Sequence, residues 1–161
     1  MQKLIMETIN NISDYVGSKF GNRILARTVA FQVLYQNDMN PDSRRELIDE
    51  FLESELPEHD KIYKFTRQLI DGVEEKRKEI DTKLRQVARN WSLERMTSID
   101  RNILRLATYE IFYMDTPLSV VINEAIELAK KFSGKDSASF VNGILDRFGK
   151  MEKNDKPKLP N

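Results

Sequence analysis

Three basic residues at the start of the first strongly helical segment have the chemistry to bind phosphates. Arg23 and Arg27 are four residues apart, and Lys19 precedes them. Residues at this spacing lie on one face of an α-helix, so both guanidinium groups can project together. Apolar residues on the other side of the segment predict that the helix is buried there while both arginines stay in water. Two readings remain open, a phosphate-binding face and an ordinary solvated one.

Side chains suited to catalysis are few. The chain has no cysteine and one histidine, His59, which excludes thiolate nucleophiles, disulfides and multi-histidine metal centres. Neighbouring carboxylates such as Glu74 and Glu75 do not face one another on a helix. The six glycines are scattered singly, so no phosphate-binding glycine loop is present. We therefore expect a protein without catalytic residues, metal or cofactor.

The charge of the chain is balanced overall but unevenly distributed. Its 161 residues carry a formal net charge of zero. Net charge alone therefore does not attract a nucleic acid, so any RNA-binding surface must be a local basic patch. Residues 42–60 hold two basic and eight acidic side chains, whereas residues 61–90 hold nine basic and five acidic ones. This segregation fits either two functional faces or a charged helical surface that keeps the protein in solution.

The hydrophobic pattern predicts an all-α fold. Apolar residues recur at steps of three and four, as at Ile103, Ala107 and Ile111, and no strand-like alternation is evident. Prolines 41, 57 and 117 fall where helices are expected to break. Besides the apolar stripes over residues 103–112 and 122–129, helices are predicted over residues 22–38, 43–54, 60–74, 77–90 and 137–148.

The chain is expected to form one domain over residues 19–150. Residues 1–18 are interpreted as an N-terminal extension, and residues 151–161 as a polar, proline-bearing disordered tail. No apolar stretch is long enough to cross a membrane, and the first residues do not resemble a secretory leader. These features favour a soluble cytoplasmic protein without a membrane partner.

Aromatic residues and helix ends give further structural expectations. Tyr109, Phe112 and Tyr113 lie in a strongly apolar segment, which favours core positions over stacking on bases. Trp91 is expected to plug a gap between helices. Gly134 is expected to close one helix, and Asp136 to cap the amides that open the next.

Three blocks of the sequence resemble the NusB family over approximately residues 22–148. They are residues 26–36, ARTVAFQVLYQ; residues 91–110, which include WSLERM, IDR and ILRLA; and residues 117–146, which include VINEAIELAK and FVNGILD. The resemblance implies an all-α, NusB-like fold of about seven helices in two packed small helical bundles.

The resemblance also implies a function. Members of this family act in transcription antitermination. They bind boxA-type single-stranded RNA together with NusE, a small-subunit ribosomal protein, in a complex on RNA polymerase that supports ribosomal RNA transcription. No cofactor is implied. NusB-like domains also occur fused to RNA methyltransferases, but this chain lacks the catalytic domain and its cysteine, so an enzymatic role is discarded.

We hypothesise that RNA contacts come from two stretches of the chain. Phosphates would be held by the first stretch and sugars or bases by the second, with Phe140 stacking and Asn142 hydrogen-bonding unless they serve the core or a helix end. The predicted RNA-binding residues are Lys19, Arg23, Arg27, Lys131, Lys135, Ser137, Phe140 and Asn142. Asp136 would moderate RNA affinity through its charge.

The partner surface is expected to be separate from the RNA surface. Glu94, Asp100 and Arg101 are its candidate residues, because an acidic surface suits a basic ribosomal protein. One departure from the family matters: Ile24 and Leu25 separate Arg23 from Arg27, where relatives carry a denser arginine cluster. The alternative is thus a NusB-fold adaptor or homodimer without sequence-specific RNA binding.

Overall fold

The computed structural model describes residues 3, 7, 21–42, 45–56 and 60–151. This part of the chain contains seven α-helices, one short 3₁₀ turn and no strand. They are α1 (Gly21–Met39), α2 (Arg45–Glu55), α3 (Asp60–Glu75), α4 (Arg77–Val87), the 3₁₀ turn (Leu93–Arg95), α5 (Ser98–Tyr113), α6 (Leu118–Phe132) and α7 (Lys135–Gly149). The all-α prediction is confirmed. None of these helices has the length and apolarity to span a bilayer.

The predicted helices match the observed ones within a few residues. Two of the shifted ends have a cause that is visible in the backbone. α4 stops at Val87, since Ala88 leaves helical geometry with a ψ of 52°. α7 begins at Lys135, two residues earlier than expected, and its N-cap is Gly134 without a side-chain hydrogen bond. The prediction that Asp136 caps this helix is therefore wrong, because Asp136 already lies inside the first turn.

The chain divides into two compact units, the first up to Asp71 and the second from Gly72 onward. In the first unit, every residue of α1 from Leu25 to Leu34 is buried. Arg67 on α3 binds two carboxylates, Asp49 on α2 and Asp71 one turn further along α3 at 2.9 Å. This cluster joins α2 to α3 through charge-assisted hydrogen bonds.

The second unit is held by a buried ion pair and by packed aromatic rings. Arg105 on α5 donates to both carboxylate oxygens of Asp81 on α4, at 2.9 and 3.1 Å, and its side chain is 7% exposed. Phe112 and Phe148 meet edge to face at 5.0 Å, which joins α5 to α7. Tyr109 and Phe112 are core residues, as predicted, whereas Tyr113 is half-buried and its hydroxyl donates to Glu79.

One glycine is required by this packing. A Cβ atom on Gly72 would collide with the phenol ring of Tyr109. That ring is buried and stacks on Tyr113 at 5.5 Å, so it has little room to move. A residue without a side chain at position 72 therefore lets the backbone at Gly72 lie directly against the Tyr109 ring within the second unit.

Candidate nucleic-acid interface

The two arginines of α1 differ in exposure. Arg23 is exposed, whereas Arg27 is 4% exposed and makes further interactions within the protein. Both guanidinium groups lie over the ring of Phe65 on α3, at 5.2 and 5.5 Å. Arg23 and Arg27 were both predicted to stay in water. This prediction is wrong for Arg27, because α1 is buried on all sides from residue 25 to residue 34. Lys19 falls outside the described residues.

The start of α7 combines exposed lysines with unused backbone donors. Lys131 at the end of α6 and Lys135 on α7 are both exposed. Gly134 supplies no side-chain acceptor to the first-turn amides of α7, so these amides remain able to bind an anion or water. Asp136 is exposed in the same turn and places a negative charge there. The two lysines would attract a phosphate group near the start of α7, and the carboxylate of Asp136 would repel it.

Ser137 serves the fold rather than the surface. It is 8% exposed, and its hydroxyl donates a hydrogen bond to the carboxylate of Asp100 on α5. The backbone amide of Asp100 in turn donates to Thr97 Oγ1, the N-cap of α5, at 3.1 Å. A predicted RNA residue and a predicted partner residue therefore meet in one contact between α5 and α7, where both position α7.

An aromatic pair joins α7 to the segment that follows α4. The rings of Trp91 and Phe140 pack edge to face, with centroids 5.3 Å apart. Trp91 is 56% exposed and Phe140 is half-buried, so the prediction that Trp91 plugs a gap between helices is wrong. Leu93 and Met96 enter the core from this segment instead. Sequence reasoning missed Trp91 as a surface residue, because its neighbours fill the space assigned to it.

Asn142 is also exposed on α7, two residues beyond Phe140. Its side-chain amide offers both donors and an acceptor to solvent. Phe140, in contrast to the fully buried Val141, is only half-covered. α7 therefore offers part of a ring at Phe140 and, on a different face of the helix, an amide at Asn142.

The three predicted partner residues have different surroundings. Glu94 is exposed; a hydrogen bond with its own backbone, and a second from Arg85 at 3.2 Å, hold the pKa of its carboxyl below the ordinary range. Arg101 donates to the backbone carbonyls of Leu93 and Met96, at 3.0 and 3.2 Å. Arg101 thereby holds the 3₁₀ turn against α5, and Glu94 presents its charge to solvent.

Comparisons with known proteins agree with this architecture. The family model of the NusB family matches residues 24–150. The transcription antitermination protein NusB of Elusimicrobium minutum is 44% identical over 137 residues, covering 83% of this chain and 97% of the relative.

Solved structures give the same assignment. T. maritima NusB superimposes with a TM-score of 0.71 at 38% identity, covering 81% of this chain and 92% of that one. A structure of the antitermination factors NusB and NusE in complex with double-stranded RNA superimposes with a TM-score of 0.68 at 28% identity, covering 80% and 96%. The chain belongs to the NusB family of transcription antitermination proteins.

Proposed function

We propose that this protein is a non-catalytic antitermination factor that binds boxA-type single-stranded RNA together with NusE. The observation that carries the proposal is the ring pair of the exposed Trp91 and the half-buried Phe140, on the unit that also exposes Lys131 and Lys135. Accessible rings together with cations are the combination that single-stranded RNA requires, since bases stack and phosphates need neutralising. The similar complex of NusB and NusE with RNA supports the assignment.

On the second unit, Lys131 and Lys135 would neutralise phosphates while a base stacks on Trp91 or Phe140. Asn142 would hydrogen-bond to a base edge, which is the type of contact that distinguishes sequences. Ser137 would act indirectly, because its hydrogen bond to Asp100 fixes α7 against α5. Phosphate contacts would supply affinity here, and base contacts selectivity.

On the first unit, Arg23 would be the phosphate ligand of α1. Arg27 would be a positioning residue, since its buried guanidinium lies over the same Phe65 ring as that of Arg23. One exposed arginine in place of a dense cluster would give few phosphate contacts on α1. The partner's own basic surface would then carry more of the affinity.

NusE is proposed as the protein partner within a complex on RNA polymerase that supports ribosomal RNA transcription. Of the three candidate partner residues, Glu94 is the exposed acid, so it is the group expected to meet a basic protein. The RNA in the similar complex is double-stranded. We favour a single strand, because the rings of Trp91 and Phe140 can stack only on bases that are not already stacked in a duplex.

The test is fluorescence anisotropy of a labelled boxA RNA, titrated with this protein alone and with NusE. A scrambled single strand and a boxA duplex serve as RNA controls. We expect selective binding of the boxA single strand that tightens with NusE and that weakens at least tenfold on Trp91→Ala with Phe140→Ala, at roughly 1–3 kcal/mol per stacked base.

A matched surface variant separates this effect from misfolding. Val120→Ala also shortens an exposed apolar side chain, in the second unit but away from this pair, and should leave RNA affinity unchanged. NusE binding without any gain from boxA would replace the proposal with the adaptor alternative. Tighter binding of the duplex would refute the single-stranded assignment.

A further inference from the structure

A basic cleft on the second unit is not used by the proposed boxA site. It has a volume of about 1000 Å³ and is lined by residues of α4, of the segment that follows it, and of the end of α7. Of the described residues that line it, none is acidic. Its polar lining consists of Lys83, Gln86, Arg89, Asn90, Arg147 and Lys150.

Within residues 60–151, the four cations of this basic cleft have no buried counter-charge, and three of them contact a backbone carbonyl or a ring. Arg147 donates to the backbone carbonyl of Val87, and Arg89 donates to that of Gln86 at 3.4 Å. Lys83 lies over the Phe112 ring at 4.6 Å. These contacts orient the side chains but leave their charge unneutralised, because a carbonyl or a ring is not an anion.

Nearby carboxylates reduce this positive charge only weakly. Lys150 faces Asp146 at 3.4 Å, with both side chains more than half exposed, so water screens the pair. Lys83 also acts on Glu79, whose carboxylate is likewise exposed. As far as the described residues show, the cleft therefore keeps a net positive potential, and positive potential in a concave surface concentrates anions.

The basic cleft adjoins the proposed stacking residues. Asn90 lines the cleft, and the next residue is the exposed Trp91, whose amide donates to the carbonyl of Ala88 at 3.1 Å in a tight turn. A strand whose base stacks on Trp91 would thus have its neighbouring phosphates within reach of the cleft. Several cations spread over three segments suit a chain of phosphodiesters better than one compact anion.

We infer that this basic cleft binds the phosphodiester backbone of RNA that flanks boxA. The inference rests on the proposed function and extends its binding site by one patch. Contacts to the backbone alone add affinity and salt dependence without sequence preference. Flanking nucleotides of any sequence should therefore tighten binding.

The experiment compares a minimal boxA RNA with boxA RNAs that carry about ten uridines on either the 5′ or the 3′ side. We expect one extended RNA to bind wild-type protein roughly fivefold or more tightly than the minimal RNA. The variant Arg89→Gln with Lys150→Gln should abolish that advantage, and should make the salt slope for the extended RNA shallower by about 0.7 for each cation removed.

A control variant removes the same charge elsewhere. Lys61→Gln with Lys78→Gln changes two exposed lysines that do not line the cleft, and should keep the advantage of the extended RNA. Equal loss in both variants would overturn the inference in favour of a general charge effect. No advantage of either extension would also overturn it.

Free oligouridine separates this inference from the proposed function. If minimal boxA RNA shows no selective binding, the proposed function fails on its own. Oligouridine affinity that falls in the cleft variant and persists in the control would still support the cleft as a backbone site. Selective boxA binding with no response of oligouridine or extended RNA to the cleft variant would refute the cleft alone.

Discussion

The ion pair between α4 and α5 contains Arg105, and the basic cleft at the end of α7 contains Arg147. Both arginines belong to the second unit, but their charges are compensated to different degrees. Arg105 is buried and meets both oxygens of Asp81. Arg147 is exposed, and among the described residues its guanidinium meets a backbone carbonyl and no carboxylate. A cation matched inside the protein contributes to the fold, whereas an unmatched one remains available to an external anion.

The largest effect on stability is expected when the buried ion pair of Arg105 and Asp81 is broken. Arg105→Ala would leave the Asp81 carboxylate largely buried without its partner, at a cost of about 3–5 kcal/mol in the free energy of unfolding. Urea denaturation followed by circular dichroism measures this cost. Lys130→Ala, which removes an exposed pair with Glu127, should cost only a small fraction of it; equal costs would mean that the Arg105 pair is not specially stabilising.

The second prediction concerns Gly72, which packs against Tyr109 of α5. Gly72→Ala forces a methyl group against the buried Tyr109 ring and should destabilise the protein by about 1–3 kcal/mol. Gly143 is the matched control, since it is helical, exposed and has open space around its Cβ position. Gly143→Ala should raise the free energy of unfolding by up to about 1 kcal/mol. Thermal melts of both variants would show the opposite signs.

The third prediction applies the contrast to the two arginines of α1. Arg27→Ala should lower the melting temperature, because it empties a buried site beside Phe65. Arg23→Ala should leave the melting temperature almost unchanged, and should make the salt slope of RNA binding shallower by about 0.7. The reverse pattern would show that burial does not separate the two roles.

The fourth prediction concerns an exposed carboxylate beside exposed cations. Asp136→Asn removes a negative charge next to Lys135 and should tighten boxA binding by roughly fivefold at low salt, corresponding to about 1 kcal/mol. The gain should shrink as salt is added. Asp115 is also exposed, but it lies in the loop before α6, so Asp115→Asn serves as the control. Unchanged or weaker binding of Asp136→Asn would place its carboxylate away from the RNA.

The smallest effect is expected from a hydrogen bond at the surface. The hydroxyl of Tyr113 donates to Glu79, which holds the pKa of that carboxyl below its ordinary range, and Lys76 and Lys83 add to this shift. A depressed folded-state pKa contributes stability above the unfolded pKa, and this contribution is lost as pH falls through the folded value. Melting temperatures should therefore fall less steeply from pH 5 to acid for Tyr113→Phe than for wild type. Identical pH profiles would contradict the coupling.

The sequence predicted the helices because apolar spacing depends on local geometry. The stripe through Ile103, Ala107 and Ile111 specifies a helix whatever it packs against. The exact ends were harder, since Gly134 and Ala88 leave helical geometry through backbone angles that composition does not encode. Topology came from the resemblance to a family rather than from periodicity.

The candidate site was less predictable, because exposure depends on contacts between distant residues. Spacing placed Arg23 and Arg27 on one face, and both lie over Phe65, but only the structure shows that Arg27 is buried while Arg23 is exposed. Likewise, Ser137 looked like a surface hydroxyl until its contact with Asp100, 37 positions away, was seen. Trp91 was expected to plug a gap between helices, but Leu93 and Met96 are the buried residues of this segment and Trp91 is exposed.

Whether exposed, unmatched cations bind the RNA is best tested by the salt dependence of the affinity for single-stranded boxA RNA in the presence of NusE. Arg23, Lys131 and Lys135 are the exposed cations assigned to phosphates. If each neutralises one, log affinity against log salt should have a slope of about −2 or steeper. A slope near zero, or one unchanged when these three residues are replaced by glutamine, would contradict the claim that unmatched cations bind the RNA.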